Sequence, residues 1–398
     1  MRLRGGPSGR LNGRRPAATN NKQSLKALRV KTGNHHPPRA ENGYHHLGLT
    51  RPEISGNGSR STSSGSRKIL VLGGAGYIGS VLCPYLTGMG DTVTVLDNLL
   101  YEKSRPRPDG YSFIEGDIRD INDLWPAIYN ADAVVNLAAL SNDPASDLMP
   151  ELTWQINYKA NEMIADLCRS LNKRVVFASS CSVYGFASEG VFTEKSALNP
   201  VSLYAQTKRL AESFYSRPDV DSIILRFATV YGHSPKPRFD LVVNTMIGTS
   251  YFKRAITVNG GDQWRPLVHV KDVAKAIYLA LHRPAKHRVY NIGSNEQNFT
   301  ISALADIIQS EVGGIEVFHD ASNRDTRSYH VDFSRVARDW SFNCEYSIRD
   351  AVREFSDALH QGEITGMADD VYFRVKYLMK HFFPAPEPKR VVSKLFMY

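Results

Sequence analysis

Cysteine is scarce in this sequence, and long apolar runs are missing from it. The 398 residues include only four cysteines, Cys83, Cys168, Cys181 and Cys344, with no Cys-x-x-Cys pair among them. This spacing predicts neither a disulfide framework nor a zinc site, and we expect reduced thiols and no resident metal. No apolar run reaches the roughly 20 residues that span a bilayer, and the opening MRLRGGPSGR lacks the apolar centre of a secretory signal. We therefore expect a soluble, cytoplasmic protein without a membrane span.

Acidic residues are almost absent from residues 1–66. This segment holds twelve Lys and Arg but only Glu41 and Glu53, so it accounts for the whole formal charge of +9 and leaves the remainder nearly neutral. It has too few apolar side chains to offset chain entropy, and we expect it to be disordered. An organellar targeting segment, a basic arm and a simple solvated extension all fit its composition, and its histidine pairs at 35–36 and 45–46 do not by themselves indicate a metal. Because the body is neutral, we expect no nucleic-acid partner.

From Lys68 onward, short apolar runs alternate with helix-length segments. This alternation predicts an α/β fold with a Rossmann-type, doubly wound parallel sheet and a smaller C-terminal substrate lobe. The predicted strands of the sheet are Lys68–Gly73, Thr92–Asp97, Tyr111–Glu115, Ala133–Ala138, Arg174–Ser179 and Ser222–Phe227. The predicted helices between them are Gly76–Met89, Leu152–Leu171 and Leu203–Tyr215.

The composition and the rhythm of the elements divide the chain into four parts. These are the basic extension at 1–66, an NAD-binding Rossmann domain at 67–228 to which some later segments return, a substrate-binding lobe at 229–361, and a C-terminal helix and tail at 362–398. Residues Asp370–Phe383 carry one apolar stripe at helical spacing and predict a single helix.

A glycine-rich loop, GGAGYIG from Gly73 to Gly79, follows the first predicted strand and opens a helix. Without side chains, its backbone N–H groups and the helix dipole can approach a pyrophosphate. A tight structural turn would use the same glycines, but Asp97 closes the second strand 18 residues after Gly79. Its carboxylate can accept hydrogen bonds from the adenosine ribose. No Arg follows within Asn98–Leu100 to receive a 2′-phosphate, so NAD is favoured over NADP.

Five motifs occur in order between Lys68 and Arg209: GGAGYIGS, GDIRD, NLAALS, SSCSVYG and YAQTK. With them the chain resembles the extended short-chain dehydrogenases/reductases, and among these the NAD-dependent nucleotide-sugar epimerase/dehydratase family. Looser matches, LRFATVYG, DQWRPLVHVKDVA and RSYHVDFS, extend the resemblance to about Leu359. The resemblance implies a cofactor site formed by Gly73, Gly76, Tyr77, Ile78, Gly79, Asp97, Asn98, Asp117, Ile118, Leu137, Ala138, Ala139, Tyr204 and Lys208.

Tyr204 and Lys208 form a Tyr-x-x-x-Lys motif on one face of a predicted helix. The pattern alone is weak, since Tyr372 and Lys376 form another, but only Tyr204 follows Ser180, at the end of a predicted strand, by 24 residues. The resemblance implies that Tyr204 is the acid/base, that Lys208 holds the nicotinamide ribose and that Ser180 hydrogen-bonds the reacting oxygen. We also expect the Lys208 ammonium to lower the pKa of Tyr204 towards working pH. The structural alternative is an ordinary pair on a helix surface.

The residues after Ser180 bear on the reaction. Dehydratases and decarboxylases of the family typically carry Glu two positions later, where this chain has Ser182. The sequence therefore favours an epimerase acting at the 4-position, which oxidises the hydroxyl, turns the keto-sugar over and returns hydride to the other face. A keto-sugar reductase would use the same three residues, and a non-catalytic NAD-binding regulator would share the fold.

Candidate substrate contacts lie mostly in the second lobe. The resemblance matches Arg265 to an arginine that meets the nucleotide diphosphate, with Arg327 or Arg324 as a second one. Thr229 stands where many relatives have an Asn that contacts the substrate, which leaves the sugar and the nucleotide open.

Two further expectations concern the sugar pocket and the assembly. Residues 142–144, Asn-Asp-Pro, would line the sugar pocket or simply form a turn. The resemblance also implies a homodimer, paired through the helices around 152–171 and 203–215.

Overall fold

The structure, a computed structural model, describes residues 66–101, 110–185, 190–320 and 328–383. The predictions made for the basic extension up to residue 65, namely its disorder, its histidine pairs and its targeting role, lie outside the described residues. Arg324 and Arg327 lie outside them as well.

Short strands alternate with helices along the described chain. The strands are β1 (Lys68–Leu72), β2 (Thr92–Asp97), β3 (Ser112–Glu115), β4 (Ala133–Asn136), β5 (Arg174–Ser180), β6 (Val191–Phe192), β7 (Ser222–Phe227), β8 (Thr229–Tyr231), β9 (Ala255–Asn259), β10 (Trp264–His269), β11 (Val289–Ile292), β12 (Asn298–Thr300), β13 (Glu316–Asp320) and β14 (His330–Val331). The α-helices are α1 (Gly79–Gly88), α2 (Ile121–Tyr129), α3 (Asp143–Leu148), α4 (Pro150–Trp154), α5 (Ala160–Ser170), α6 (Leu203–Tyr215), α7 (Val242–Lys253), α8 (Val270–His282), α9 (Ile301–Val312), α10 (Ser334–Trp340), α11 (Ile348–His360) and α12 (Arg374–Phe382).

Seven of the strands form one parallel sheet in the order β11–β7–β5–β4–β1–β2–β3. This order confirms the predicted doubly wound, Rossmann-type sheet, and β2 and β7 have the predicted bounds. Strand β11 pairs with β7 in this sheet, although β8, β9 and β10, which lie between them in the chain, do not belong to it. The order in which strands are added reverses between β1 and β4, and ligands of such sheets bind in the crevice beside the carboxyl ends of these strands.

Helices cover both faces of the sheet, which explains why its strands read as nearly continuous apolar runs. Every residue of β4 and β7 is buried. Along β1, Ile69 and Val71 belong to one apolar cluster and Leu70 and Leu72 to another. Because successive strand residues point to opposite faces, these clusters are the two layers between sheet and helices. Among the described residues, no helix combines the length and apolarity needed to cross a bilayer.

The predicted helix at 152–171 is divided in two. A π-helical turn, Gln155–Lys159, separates α4 from α5. It turns the Asn157 side chain towards the loop after β4, where Asn157 accepts a hydrogen bond from the Leu140 amide at 2.9 Å and donates to the Leu140 carbonyl at 3.0 Å. Such turns often occur at functional sites. A side-chain amide that pairs with a distant backbone leaves no signal in helical periodicity, so the sequence pattern missed the break.

The prediction of one helix over Asp370–Phe383 is also wrong in detail. A short 3-10 turn, Asp370–Tyr372, is separated from α12 by Phe373, whose backbone is extended. The break lets the segment serve two cores: Tyr372 packs in the apolar cluster of the second lobe, whereas Leu378 packs in the cluster beneath β1 and β4. One continuous helix would not direct both side chains to these different surfaces.

Candidate active site

A cavity of about 430 Å³ opens at the carboxyl ends of β1 and β4. Its volume lies in the range of small-molecule and cofactor sites. Among its walls are all the site residues proposed from the sequence that the structure describes: Gly73, Gly76, Tyr77, Ile78, Gly79, Asp97, Asn98, Asp117, Ile118, Leu137, Ala138, Ala139, Ser180, Tyr204, Lys208, Thr229 and Arg265. Arg327 lies outside the described residues. Elements far apart in sequence thus contribute to one concave site.

The glycines of the loop after β1 are needed for different physical reasons. Gly73 has φ +76, and a Cβ there would lie 2.7 Å from the Ala138 Cα. A Cβ on Gly79 would lie 2.3 Å from the Gly74 carbonyl oxygen. Both are required by packing within the protein. Gly76 differs, because a Cβ there would meet only the Gly73 oxygen at 3.4 Å. Packing within the protein therefore does not require glycine at this position. The absence of a side chain leaves the cavity open here, which allows a ligand's phosphates to approach the backbone closely.

Asp97 lies at the end of β2 with its carboxylate held by the backbone. The Ala75 amide donates to Oδ2 at 3.0 Å and the Leu99 amide to Oδ1 at 2.8 Å. Burial raises the pKa of Asp97, while these two hydrogen bonds and the charges of Arg374 and Lys236 act against that rise. The carboxylate is therefore fixed in place where a ribose hydroxyl would find an acceptor.

Arg374 is a residue that the sequence argument missed. It is carried by α12, lines the same cavity and lies over the Tyr101 ring, with 4.0 Å between guanidinium carbon and ring centroid. The sequence has no Arg directly after Asp97, but Arg374 of α12 brings a cation to this cavity. Only the amphipathic pattern of that helix was visible beforehand, and it does not reveal where its polar face points.

The second half of the site lies between β5 and α6. Ser180 ends β5, and Tyr204 and Lys208 lie in the first two turns of α6, which Ser202 caps by accepting from the Ala205 amide. Ser180 lies close enough to Tyr204 to act on its pKa, and Ser182 donates to the Ser180 Oγ at 2.9 Å. Lys208 is buried and donates from Nζ to the Ala178 carbonyl at 2.7 Å. The three side chains proposed for the chemistry thus meet at one wall.

The expectation that Lys208 lowers the pKa of Tyr204 is wrong for this structure. Burial raises the pKa of Tyr204 above its usual value, and the charge of Asp143 raises it further, against the effects of Arg238 and Ser180. Burial also lowers the pKa of Lys208 to about 7. A lysine that burial discharges, with its Nζ turned to a carbonyl, gives the phenolate little support. The sequence indicated that Tyr204 and Lys208 lie together, but it does not show how strongly burial shifts the pKa values of the two side chains.

A buried ion pair fixes the two elements that carry these residues. Glu212, one turn beyond Lys208 on α6, accepts from Arg226 of β7 at 2.9 Å (Nε to Oε1) and 2.6 Å (Nη2 to Oε2). Glu212 Oε1 also accepts from Ser179 Oγ at 2.6 Å. The network ties the end of β5, and hence Ser180, to the helix of Tyr204. An arginine in the otherwise apolar strand SIILRF was the available signal for it.

The two described residues that were predicted to contact the substrate, Arg265 and Thr229, differ in burial. Arg265 of β10 is buried and donates to the Trp264 carbonyl at 2.9 Å, while Thr229, at the start of β8, is half-buried. Both line the cavity. Tyr77 reaches away from it, since its hydroxyl donates to the Gly232 carbonyl at 2.7 Å. Among the described residues, no group of three or more potential ligands could hold a metal ion.

A parallel doubly wound sheet, a glycine loop at its switch point and a Ser–Tyr–Lys wall define a dinucleotide-dependent enzyme of the short-chain dehydrogenase/reductase type. Residues 69–293 match the NAD dependent epimerase/dehydratase family, and the chain belongs to this family. The family is NAD-dependent, so the cofactor is NAD.

Individual relatives are similar over most of their length. The Low-salt glycan biosynthesis protein Agl12 of Haloferax volcanii is 30% identical over 296 residues, 69% of this chain and 94% of its own. A putative UDP-glucose 4-epimerase of Methanocaldococcus jannaschii is 32% identical over 255 residues, 62% of this chain and 82% of its own. The solved structure of MoeE5 in complex with UDP-glucose and NAD is 30% identical with a TM-score of 0.64, covering 74% of this chain and 99% of MoeE5. MoeE5 was also solved with UDP-glucuronic acid and NAD.

Gly76→Val is expected to release NAD without unfolding the protein. A side chain at this position enters the cavity where the phosphates approach, but it meets little of the protein itself. We expect the NAD content of the purified protein to fall at least about tenfold, as for a lost phosphate-loop contact, with the urea unfolding midpoint of the NAD-free protein unchanged. Gly79→Val is the contrast, since its clash with Gly74 should prevent soluble expression. Full NAD content in Gly76→Val would contradict this account of the loop.

Proposed function

We propose that this chain is an NAD-dependent epimerase that inverts the 4-hydroxyl of a nucleotide-bound hexose. The observation that carries the proposal is that Ser180, Tyr204 and Lys208 line the cavity that also contains the glycine loop and Asp97. Relatives named UDP-glucose 4-epimerases match most of their own length to this chain, and MoeE5 holds UDP-glucose and NAD together. These similarities support the nucleotide sugar as the substrate class.

The residues of the site have separate tasks in this reaction. Tyr204 removes the proton of the 4-hydroxyl and returns it once the configuration has changed. Ser180 holds the reacting oxygen by a hydrogen bond, and Ser182 orients Ser180. NAD, which the glycine loop, Asp97 and Lys208 would hold, would supply reversible hydride transfer at the sugar carbon. Arg265 offers a cation to the nucleotide diphosphate. Lys208 holds the nicotinamide ribose from the floor of the cavity.

The residue two positions after Ser180 supports epimerisation over elimination. The position two residues after Ser180 holds Ser182, whose hydroxyl is already engaged with Ser180. A hydroxyl is a poor base for removing a proton from a carbon next to the keto group.

The test is turnover of nucleotide sugars without added cofactor. We expect purified protein to convert UDP-glucose into UDP-galactose, followed by NMR, with no net absorbance change in the reduced-nicotinamide band. Parallel incubations with GDP-, CDP- and dTDP-hexoses identify the nucleotide. Turnover that requires added NADH and a keto-sugar would replace the epimerase with a reductase, and bound NAD without turnover of any sugar would indicate a regulator.

We also propose that the protein works as a cytoplasmic homodimer paired through α5 and α6. Leu210, on the outer face of α6, leaves 39% of its surface exposed, and Val201, just before the helix, 44%. Burying such apolar side chains against a second copy removes them from water. The four free cysteines fit a reducing compartment. Light scattering on the eluting protein should give twice the mass of the chain, and the mass of one chain would contradict the dimer.

A further inference from the structure

The first residue of α12 belongs to the wall of the cofactor cavity. Arg374 lines this cavity and leaves only 8% of its surface exposed. Leu378, one turn later, packs in the apolar cluster beneath β1 and β4, which fixes the helix to the main sheet. The residues that match the family end at 293. A segment of the chain beyond them thus brings a buried cation to the cofactor cavity.

Two side chains of α12 contact the ring of Tyr101, which lines the same cavity. The guanidinium carbon of Arg374 lies 4.0 Å from the Tyr101 ring centroid, and the Tyr377 ring centroid lies 5.6 Å from it with 60° between the ring planes. A guanidinium over an aromatic ring and a tilted pair of rings are both attractive. The Tyr101 hydroxyl has no hydrogen-bond partner among the described residues. Contacts of the ring, rather than of the hydroxyl, therefore position Tyr101.

Tyr101 follows directly on the loop that orients Asp97. Within this loop Leu99 has φ +53, a left-handed conformation that costs an L-residue free energy. In this conformation the Leu99 amide donates to Asp97 Oδ1 at 2.8 Å, and the Leu100 amide donates to Asn98 Oδ1 at 3.1 Å. The contacts made by Tyr101 help to hold the loop in the conformation in which its backbone fixes the Asp97 carboxylate.

Arg374 also brings its charge to the Asp97 carboxylate. Burial raises the pKa of Asp97, and backbone hydrogen bonds and the charges of Arg374 and Lys236 oppose this rise. Lys236 lines the cavity as well, so Asp97 keeps one cation when Arg374 is replaced. The Arg374 charge acts on Asp240 too, but Asp240 retains its ion pair with Arg238 at 2.8 Å. Replacing Arg374 should therefore weaken the cofactor site without leaving a buried carboxylate unpaired.

We propose that Arg374 is a positioning residue of the NAD site: from α12 it holds the Tyr101 ring and the Asp97 loop in the arrangement that binds the adenosine half of NAD. In dinucleotide-binding folds a carboxylate at the end of the second strand accepts hydrogen bonds from the adenosine ribose. Arg374 acts on this acceptor through the loop and through its charge. This role goes beyond the proposed function, because cofactor binding does not depend on which sugar reaction follows.

The test measures binding of NAD and of ADP-ribose, which contains the adenosine half and lacks nicotinamide. Calorimetric titration of protein freed of NAD should give at least about tenfold weaker binding of both ligands to Arg374→Met, as when a cation–π contact and a nearby charge are lost together. Lys380→Met is the matched control, because Lys380 lies on the same helix, is 65% exposed and does not line the cavity. It should bind both ligands like the unaltered protein.

A second variant tests whether Arg374 acts through Tyr101. Tyr101→Leu removes the ring on which the guanidinium lies and should weaken NAD binding as well. When both substitutions are present, the loss of NAD affinity should be smaller than the product of the two single losses, because both remove the same contact. Losses that multiply would show that the two side chains act independently and would overturn the proposal.

Urea unfolding of the NAD-free variants separates this role from a merely structural one. The unfolding midpoint of Arg374→Met should stay close to that of Lys380→Met, and Arg374→Lys, which keeps the charge, should bind NAD more tightly than Arg374→Met. A lowered midpoint of Arg374→Met together with normal NAD binding by Tyr101→Leu would make Arg374 merely structural and overturn the proposal.

The ligands give two further decisive outcomes. Binding of NAD and ADP-ribose by Arg374→Met within a few-fold of the unaltered protein overturns the role of Arg374. Weakened NAD binding with unchanged ADP-ribose binding also overturns it, because the effect would then lie at the nicotinamide half. None of these measurements requires turnover of a sugar, so the role of Arg374 and the proposed epimerase stand or fail separately.

Discussion

Tyr204→Phe is expected to reduce epimerisation by roughly 10²- to 10⁴-fold, the usual contribution of a positioned acid/base. The substitution removes the Tyr204 hydroxyl next to Ser180 and leaves the ring in place. The sugar 4-hydroxyl then has no group that can take its proton. The rate is measured by NMR on UDP-glucose, with NAD content determined on the same sample.

NAD content should be unchanged in Tyr204→Phe, because the glycine loop and Asp97 are untouched. Tyr129→Phe is the matched control, since Tyr129 lies on α2 with more than half of its surface exposed, at 55%. A Tyr204→Phe protein that kept a rate within a few-fold of the unaltered protein would remove Tyr204 from the chemistry. Retained rate with lost NAD would indicate instead that the side chain serves the cofactor.

Glu212→Gln is expected to lower the free energy of unfolding by about 3–5 kcal/mol, the cost of leaving one charge of a buried pair without its partner. The side chains of Glu212 and Arg226 are both 5% exposed, so water cannot take over the lost interaction. The Ser179 hydroxyl loses its charged acceptor in the same step. Urea unfolding at a fixed NAD concentration measures the loss, because bound NAD adds its own stabilisation.

Two comparisons make the ion-pair prediction specific. The double variant Glu212→Leu with Arg226→Met should recover much of the stability, since replacing both charges leaves none unpaired. Asp219→Asn breaks an exposed pair with Arg169 and should cost about 0–1 kcal/mol. A Glu212→Gln protein as stable as this surface control would show that the pair is not needed to hold α6 against β5 and β7.

Periodicity was a good guide to the elements of this protein. Strands β2 and β7 and helix α6 have the predicted bounds. Their apolar spacing is imposed by burial on one or two faces, and burial is the strongest signal in a sequence. The pattern failed where polar contacts decide. The π-helical turn before α5 accompanies the hydrogen bonds between Asn157 and Leu140. The break at Phe373 allows the side chains before and after it to pack in two different apolar clusters.

Likewise, some residues of the site could be identified from the sequence, and others only from the structure. The glycine loop, Asp97, Ser180, Tyr204 and Lys208 were found in sequence because each follows a strand or shares a helical face with its partner. Arg374, whose charge acts on Asp97, and Glu212, which accepts a hydrogen bond from Ser179, were missed. These contacts join residues from separate elements, and their identities carry no periodic signal.

What the sequence by itself determined is the fold class, the place of the cofactor and the Ser–Tyr–Lys set, because local spacing fixes which residues end strands and which share a helix face. What only the tertiary structure decided is the electrostatics of the site. The burial that raises the pKa of Tyr204 and lowers that of Lys208 depends on how far remote segments of the chain exclude water from these side chains. Charge interactions follow distance and dielectric rather than order along the chain, and both are set only when the chain has folded around the cavity.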